Sequence, residues 1–150
     1  MAYKSRYTPN NPNKYNGDPT KIQARSTWER QCMKYFDKHP DVVKWNSEEV
    51  IVPYKSPIDG RFHRYFVDFL VTFRKPDNTT ETKLIEVKPK KQSQAPKVRS
   101  RVTKRYLKEV RTWGINNAKW LAAVDYAEDR GWIFEVWTER TLKKLGMKIF

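Results

Sequence analysis

The chain has 150 residues, of which 31 are Lys or Arg and 17 Asp or Glu, giving a formal net charge of +14. A charge of that sign and size points to a polyanionic partner, with nucleic acid ahead of an anionic membrane surface. One cysteine and two histidines exclude an internal disulfide framework and leave no material for a Cys/His zinc site, so any metal must be held by carboxylates, which favours Mg²⁺ or Mn²⁺.

The opening stretch MAYKSRYTPNNPNKYNG lacks the apolar core of a secretory signal, and no later run reaches the length of a membrane span. The expectation is a protein that works in the cytoplasm or in an assembly built there. Residues 1–24, rich in Asn, Pro, Lys and Tyr, read as an irregular basic arm. Its tyrosines could order it against the domain, or it could touch a partner. Residues 25–150 read as one domain. Ser26-x-x-Glu29 fits a capping box, Trp28, Cys32, Met33 and Phe36 recur at helical spacing, and Pro40 sets the end of this first helix near His39. Residues 49–54 (EVIVPY) alternate as a strand, Ile58-Asp59-Gly60 marks a turn, and 62–73 (FHRYFVDFLVTF) reads as one long apolar strand. A turn at Lys75-Pro76-Asp77-Asn78 leads to a third strand over 83–88, and the short connections predict an antiparallel meander. After a polar loop at 92–96, a helix is predicted over 98–111, with Val102, Tyr106 and Val110 on one face. A second helix is predicted over 116–129, separated from the first near Gly114 and stopped by Gly131. A strand over 132–137, with Trp132, Phe134 and Val136 on its core face, and a short helix over 138–145 close the chain. The order α-β-β-β-α-α-β-α predicts an α/β domain, with a mixed central sheet of about four strands flanked by helices.

Two carboxylates are out of place in this frame. From residue 65 to 73 every side chain is apolar except Asp68 and Thr72. An ionised Asp there is costly unless it is paired, for instance with Arg64, or binds a cation. In the next strand Leu84, Glu86 and Lys88 share one face, because side chains alternate. If the two strands pair, Asp68 and Glu86 meet, and two carboxylates in one place repel each other and bind a divalent cation. A plain Glu86–Lys88 ion pair is the alternative. Phosphodiester cleavage needs such a set: a bound Mg²⁺ polarises the phosphate and acidifies the attacking water, and a lysine beside it stabilises the developing charge.

The run Val67-Asp68-Phe69, followed by IEVKPKK over 85–91, resembles the PD-(D/E)xK nuclease superfamily. It is most similar to the branch of TnsA-type transposon endonucleases, where a strand ending in x-D-F precedes an E-V-K-P strand. The stretches RSTWE (25–29), HRYFVDF (63–69), IEVKPKKQ (85–92), TKRYLKEVRT (103–112) and NNAKW (116–120) extend the resemblance, over almost the whole chain, to the head completion nucleases of T-even-type phages. The resemblance implies a restriction-endonuclease-like core with Mg²⁺ as cofactor, Mn²⁺ being the alternative. It implies Asp68, Glu86 and the backbone carbonyl of Val87 as metal ligands, and Lys88 as the catalytic lysine. Val67 stands where the superfamily's name has proline, a position that varies between branches. Glu29 has two readings: a helix cap, or a further catalytic acid, since it sits amid the packing face of the first helix and some members use an acid from that helix. The resemblance also implies DNA as substrate and phage head, portal or neck proteins as partners. The place of action would be the host cytoplasm during assembly, with the virion as a second location.

From residue 88 to 108 there are nine Lys or Arg and no Asp or Glu. With Lys88 they are Lys90, Lys91, Lys97, Arg99, Arg101, Lys104, Arg105 and Lys108. A solvated face is the plain reading; a phosphate track leading to the site is the functional one. No motif for reading base sequence is present. The expected function is a Mg²⁺-dependent DNA endonuclease acting in head completion after DNA packaging. The alternatives are a non-catalytic DNA-end binder or head plug with a nuclease fold, and a TnsA-like or homing-type endonuclease that acts with a partner.

Overall fold

A computed structural model describes residues 4–149; the first three residues of the arm lie outside it. The arm is built into the domain. Strand β1 (Ser5–Arg6) pairs antiparallel with β2 (Gln23–Ala24), and Tyr7, Tyr15, Ile22 and Ala24 are buried in the core. Asp37, fully buried, anchors the arm: its carboxylate accepts from Tyr7 Oη at 3.1 Å and from the backbone N–H groups of Asn10 and Asn11 at 2.7 and 2.9 Å.

Helix α1 (Thr27–Lys38) starts as its sequence predicts. The Ser26 hydroxyl accepts from the Glu29 N–H, and Cys32, Met33 and Phe36 bury the face that meets the sheet. Strand β3 (Val42–Ser47) follows, an element its sequence does not announce. Next come β4 (Ile51–Lys55), β5 (Phe62–Phe66), β6 (Phe69–Arg74) and β7 (Thr80–Val87). Helix α2 (Lys104–Asp129), strand β8 (Ile133–Trp137) and helix α3 (Glu139–Lys144) complete the domain.

The expected mixed four-strand sheet is present, in the order β3-β6-β7-β8, with β8 parallel to β7 and the other pairs antiparallel. Its composition differs from the expected meander. The run over 62–73 is two strands, not one. At Val67 and Asp68 the chain leaves a separate ribbon, β4–β5, and enters the main sheet; Val67 N–H donates to Val50 and Asp68 C=O accepts from Glu48 N–H. The third partner of the meander is therefore β3, while residues 51–55 belong to the ribbon.

The two helices expected over 98–111 and 116–129 are one helix of 26 residues, capped at Thr103. Glycine inside a helix costs only about 1 kcal/mol. Burial of Trp120, Ala123 and Ala127, with Trp113 edge-on to Trp120, outweighs it at Gly114. Val102 lies before this helix and, like Val110, is exposed, so that stripe is not core.

The sheet divides two apolar layers. On one face Trp45, Phe69, Val71, Ile85 and Trp137 pack with α1 and the arm. On the other, Leu70, Leu84, Phe134 and Val136 pack with α2 and with Val52, Tyr54 and Tyr65 of the ribbon. Full burial of a side chain the size of Phe36 contributes about 2–3 kcal/mol. The main sheet, the ribbon and α2 thus hold a fixed corner between them, and the carboxylates lie in that corner.

Candidate active site

Glu86, in β7, is buried and points to the α2 side of the sheet, as its alternation with Leu84 requires. Tyr65 of β5 donates its hydroxyl to Glu86 Oε2. Asp68, at the junction of ribbon and sheet, accepts the Val87 N–H through Oδ2 at 2.8 Å. The Glu86 carboxylate lies close enough to act on it directly. In an extended chain the N–H and C=O of one residue leave by the same edge, so the Val87 carbonyl is directed to the side of β7 where Asp68 lies. The strand pairing expected from the sequence therefore brings Asp68, Glu86 and Val87 together. Neither the Asp68–Arg64 nor the Glu86–Lys88 ion pair forms among the described residues.

Burial, the Glu86 carboxylate and the Glu29 carboxylate push the Asp68 carboxyl well above its usual range, against the pull of the Val87 N–H. Two ionised carboxylates do not sit in contact unless a proton or a cation lies between them. The closeness of Asp68 and Glu86 is the feature a divalent cation fits. Among the described residues no group of three or more His, Cys, Asp and Glu side chains could hold a metal ion, so the donors on offer are this pair and the main-chain carbonyl.

Glu29 has a foot in both of its readings. Its N–H takes part in the cap, yet its carboxyl is aimed inward: Oε1 is buried without a hydrogen-bond partner, while Oε2 accepts from Ser26 Oγ at 3.3 Å. Burial and then Glu48 raise its carboxyl. The Cys32 thiol beneath is raised first by burial and then by Asp68 and Glu29, and it is a packing group.

Lys88 lines a cavity of about 530 Å³ together with Glu86, and its N–H is fixed by the Trp137 carbonyl at 3.0 Å. The same cavity is lined by Arg64, considered above only as an ion-pair partner for Asp68, and by residues the sequence did not single out: Arg25, Glu48, Tyr65, Asn116 and Lys119. Lys119 of α2 stands over the rings of Tyr54 and Tyr65, 5.8 and 5.5 Å from their centres. Glu48 is held by Arg25 at 3.1 Å and adopts a left-handed φ of 57°. The nearest sequence signal for Arg25, Arg64, Tyr65, Asn116 and Lys119 is that they lie inside the stretches 25–29, 63–69 and 116–120, whereas Glu48 lies in none.

The basic stretch divides. Lys90 opens a short 3₁₀ turn, Lys90–Ser93, and its backbone is tied to Glu139. Lys91, Lys97, Arg99, Arg105 and Lys108 line a second cavity of about 700 Å³, which shares Asn116 with the first. Arg101 precedes α2 and Lys104 begins it, both exposed, so Arg101 is not on the helical face with Lys104 and Lys108. Arg105 is 3.5 Å from Glu109. A run of cations therefore borders a cavity that shares Asn116 with the one holding Glu86 and Lys88.

Comparison with known proteins adds sequence relationships to this geometry. Residues 39–139 match the family described as TnsA-like endonuclease N terminal. The chain is similar to the head completion nuclease of Enterobacteria phage T4, with 40% identity over 152 residues, covering 99% of each chain. No solved structure matches.

Proposed function

The chain belongs to the TnsA-like endonuclease family, and from that premise we propose that it is a metal-dependent DNA endonuclease acting in phage head completion. One observation carries the chemical part of the proposal: the half-buried Asp68 and the buried Glu86 place their carboxyls close enough to act on each other, with Lys88 in the cavity beside them. Asp68, Glu86 and the Val87 carbonyl would hold Mg²⁺, or Mn²⁺ in its place. When bound, the ion supplies Lewis-acid polarisation of a phosphate and a more acidic water. Lys88 places a positive charge where negative charge grows on the phosphate. Tyr65 orients Glu86, and the Trp137 carbonyl fixes the backbone that presents Lys88. Glu29 directs a third acidic group toward Asp68, as a positioning or proton-accepting residue. The cations from Lys90 to Lys108 hold the DNA backbone without selecting sequence. The head completion role draws on the T4 relative, and head or portal proteins are the partners it implies.

The experiment is cleavage of linear, nicked and branched DNA with Mg²⁺, Mn²⁺ or EDTA, by the wild type and by Lys88→Ala. Metal-dependent cutting that is lost in the variant supports the reading. Equal cutting by both refutes the site. A second reading, a DNA-end binder or head plug without chemistry, is favoured by the lack of a third protein side chain for a metal among the described residues. DNA binding by a well-folded wild type that never cuts would establish it.

A further inference from the structure

The ribbon β4–β5 turns one face to α2 and the other to solvent. Val52, Tyr54 and Tyr65 take the inner face. The outer face sets Ile51 opposite Phe66, Pro53 opposite Arg64 and Lys55 opposite Phe62. Phe62 is 75% exposed, Phe66 42% and Ile51 41%, a concentration of large apolar groups that core packing does not explain. The face carries two cations and no carboxylate. The Arg64 guanidinium lies 5.7 Å from the centre of the Phe66 ring. Arg64 and Phe66 also line the cavity that holds Glu86 and Lys88, so this face continues directly into the candidate active site.

The occupant must satisfy rings and cations together. Intact duplex offers phosphates to Arg64 and Lys55, but its bases are stacked on one another and present no faces to Phe62 and Phe66. An apolar protein patch would cover the rings and bury the two cations unpaired, which is costly. Unpaired nucleotides supply both, a base face for a ring and a phosphate for a cation. We propose that the outer face of the β4–β5 ribbon is a stacking platform for unpaired nucleotides. The DNA cut at the neighbouring site then carries a single-stranded end, gap or junction beside the cut. This naming of the substrate rests on the nuclease reading; the binding of single strands does not.

The test is fluorescence anisotropy with labelled oligo(dT) and with a blunt duplex of equal length, at one salt concentration. It compares the wild type, the double variant Phe62→Ala/Phe66→Ala, and Phe62→Tyr/Phe66→Tyr. Removing an aromatic platform costs about fivefold or more per stacked base. The alanine pair should therefore weaken oligo(dT) binding at least about tenfold and duplex binding by less than about twofold, with the tyrosine pair restoring the wild-type value. Equal loss on both DNAs, or no loss, overturns the proposal; no loss leaves the face to a protein partner. Cleavage of blunt and overhanging duplexes by the same proteins separates the two readings. Single-strand selectivity without any cutting would sink the nuclease reading and keep the platform. Cutting with unaltered oligo(dT) binding in the alanine pair would do the reverse.

Discussion

Tyr65→Phe is the most informative single substitution in this site, because it removes one hydroxyl and keeps the ring. Tyr65 is buried beneath Lys119 and donates to Glu86. Burial and the Glu86 carboxylate push its phenol far above its ordinary value, so it stays a protonated donor at every working pH. The substitution deletes one hydrogen bond to a charged group, worth about 2 kcal/mol. For a chain of this size that lowers Tm by roughly 4–8 °C. The effect on chemistry is separable. Losing a partner that orients a metal ligand costs about 10–100-fold in metal affinity or activity. The Mg²⁺ concentration for half-maximal cleavage should therefore rise about tenfold or more, while the rate at saturating Mg²⁺ falls less. Tyr54→Phe, on the other ring beneath Lys119, is the control and leaves the titration where it is. A Mg²⁺ titration of cleavage, paired with metal-free thermal melts, reads both effects. An unchanged half-point in a destabilised Tyr65→Phe protein would show that Glu86 does not hold the metal.

Asp37→Ala strips the acceptor from Tyr7 Oη and from the N–H groups of Asn10 and Asn11. It should cost about 3 kcal/mol and speed proteolysis within the arm; equal proteolysis would show that the carboxylate does not hold it. The raised Asp68 and Glu29 carboxyls bind a proton more tightly folded than unfolded, so metal-free stability should increase as pH falls from neutral toward the ordinary Asp value of about 3.9. Melts in EDTA that fall or stay flat across that range would contradict the assignment, and at limiting Mg²⁺ cleavage should weaken over the same range, as proton and cation compete. Lys104→Ala/Arg105→Ala should flatten the plot of log affinity against log salt by between about one and two, the lower figure if Arg105 is already occupied by Glu109. An unchanged slope would remove both from the phosphate track.

What could be read in advance depended on whether a local signal had a local cause. The cap at Ser26 and the face of Cys32, Met33 and Phe36 were legible because helix periodicity and its cap lie in adjacent residues. The shared face of Leu84, Glu86 and Lys88 was legible because strand alternation is geometric. Strand β3 was not, since Lys44 interrupts its apolar run and the register shifts between Val42 and Lys44. Gly114 suggested a break that tertiary burial overrides. Glu48, Asn116 and Lys119 reach the site only through the ribbon and the single long α2, neither of which local pattern discloses.

The break at Asp68 joins these two kinds of feature, and it carries a last prediction. The register of β6 on β7 sets Phe69 opposite Ile85, so the strands, if continued toward the ribbon, would set Asp68 opposite Glu86 and then Val67 opposite Val87 as the next hydrogen-bonded pair. Val67 has instead turned to Val50, leaving the Val87 N–H without a backbone acceptor, and Asp68 Oδ2 takes that place. The aspartate thus closes the sheet at the point where its charge is placed beside Glu86. Asp68→Asn keeps an oxygen for the Val87 N–H and removes the charge, whereas Asp68→Ala leaves that N–H unpaired at about 1–3 kcal/mol. Both should lose metal-dependent cleavage. In metal-free melts the asparagine variant should equal or exceed the wild type, because it relieves the repulsion with Glu86, and the alanine variant should lie below the asparagine variant by roughly 3–9 °C. Equal melting of the two would mean that the Asp68 side chain does not complete the sheet, and the double duty assigned to it would fail.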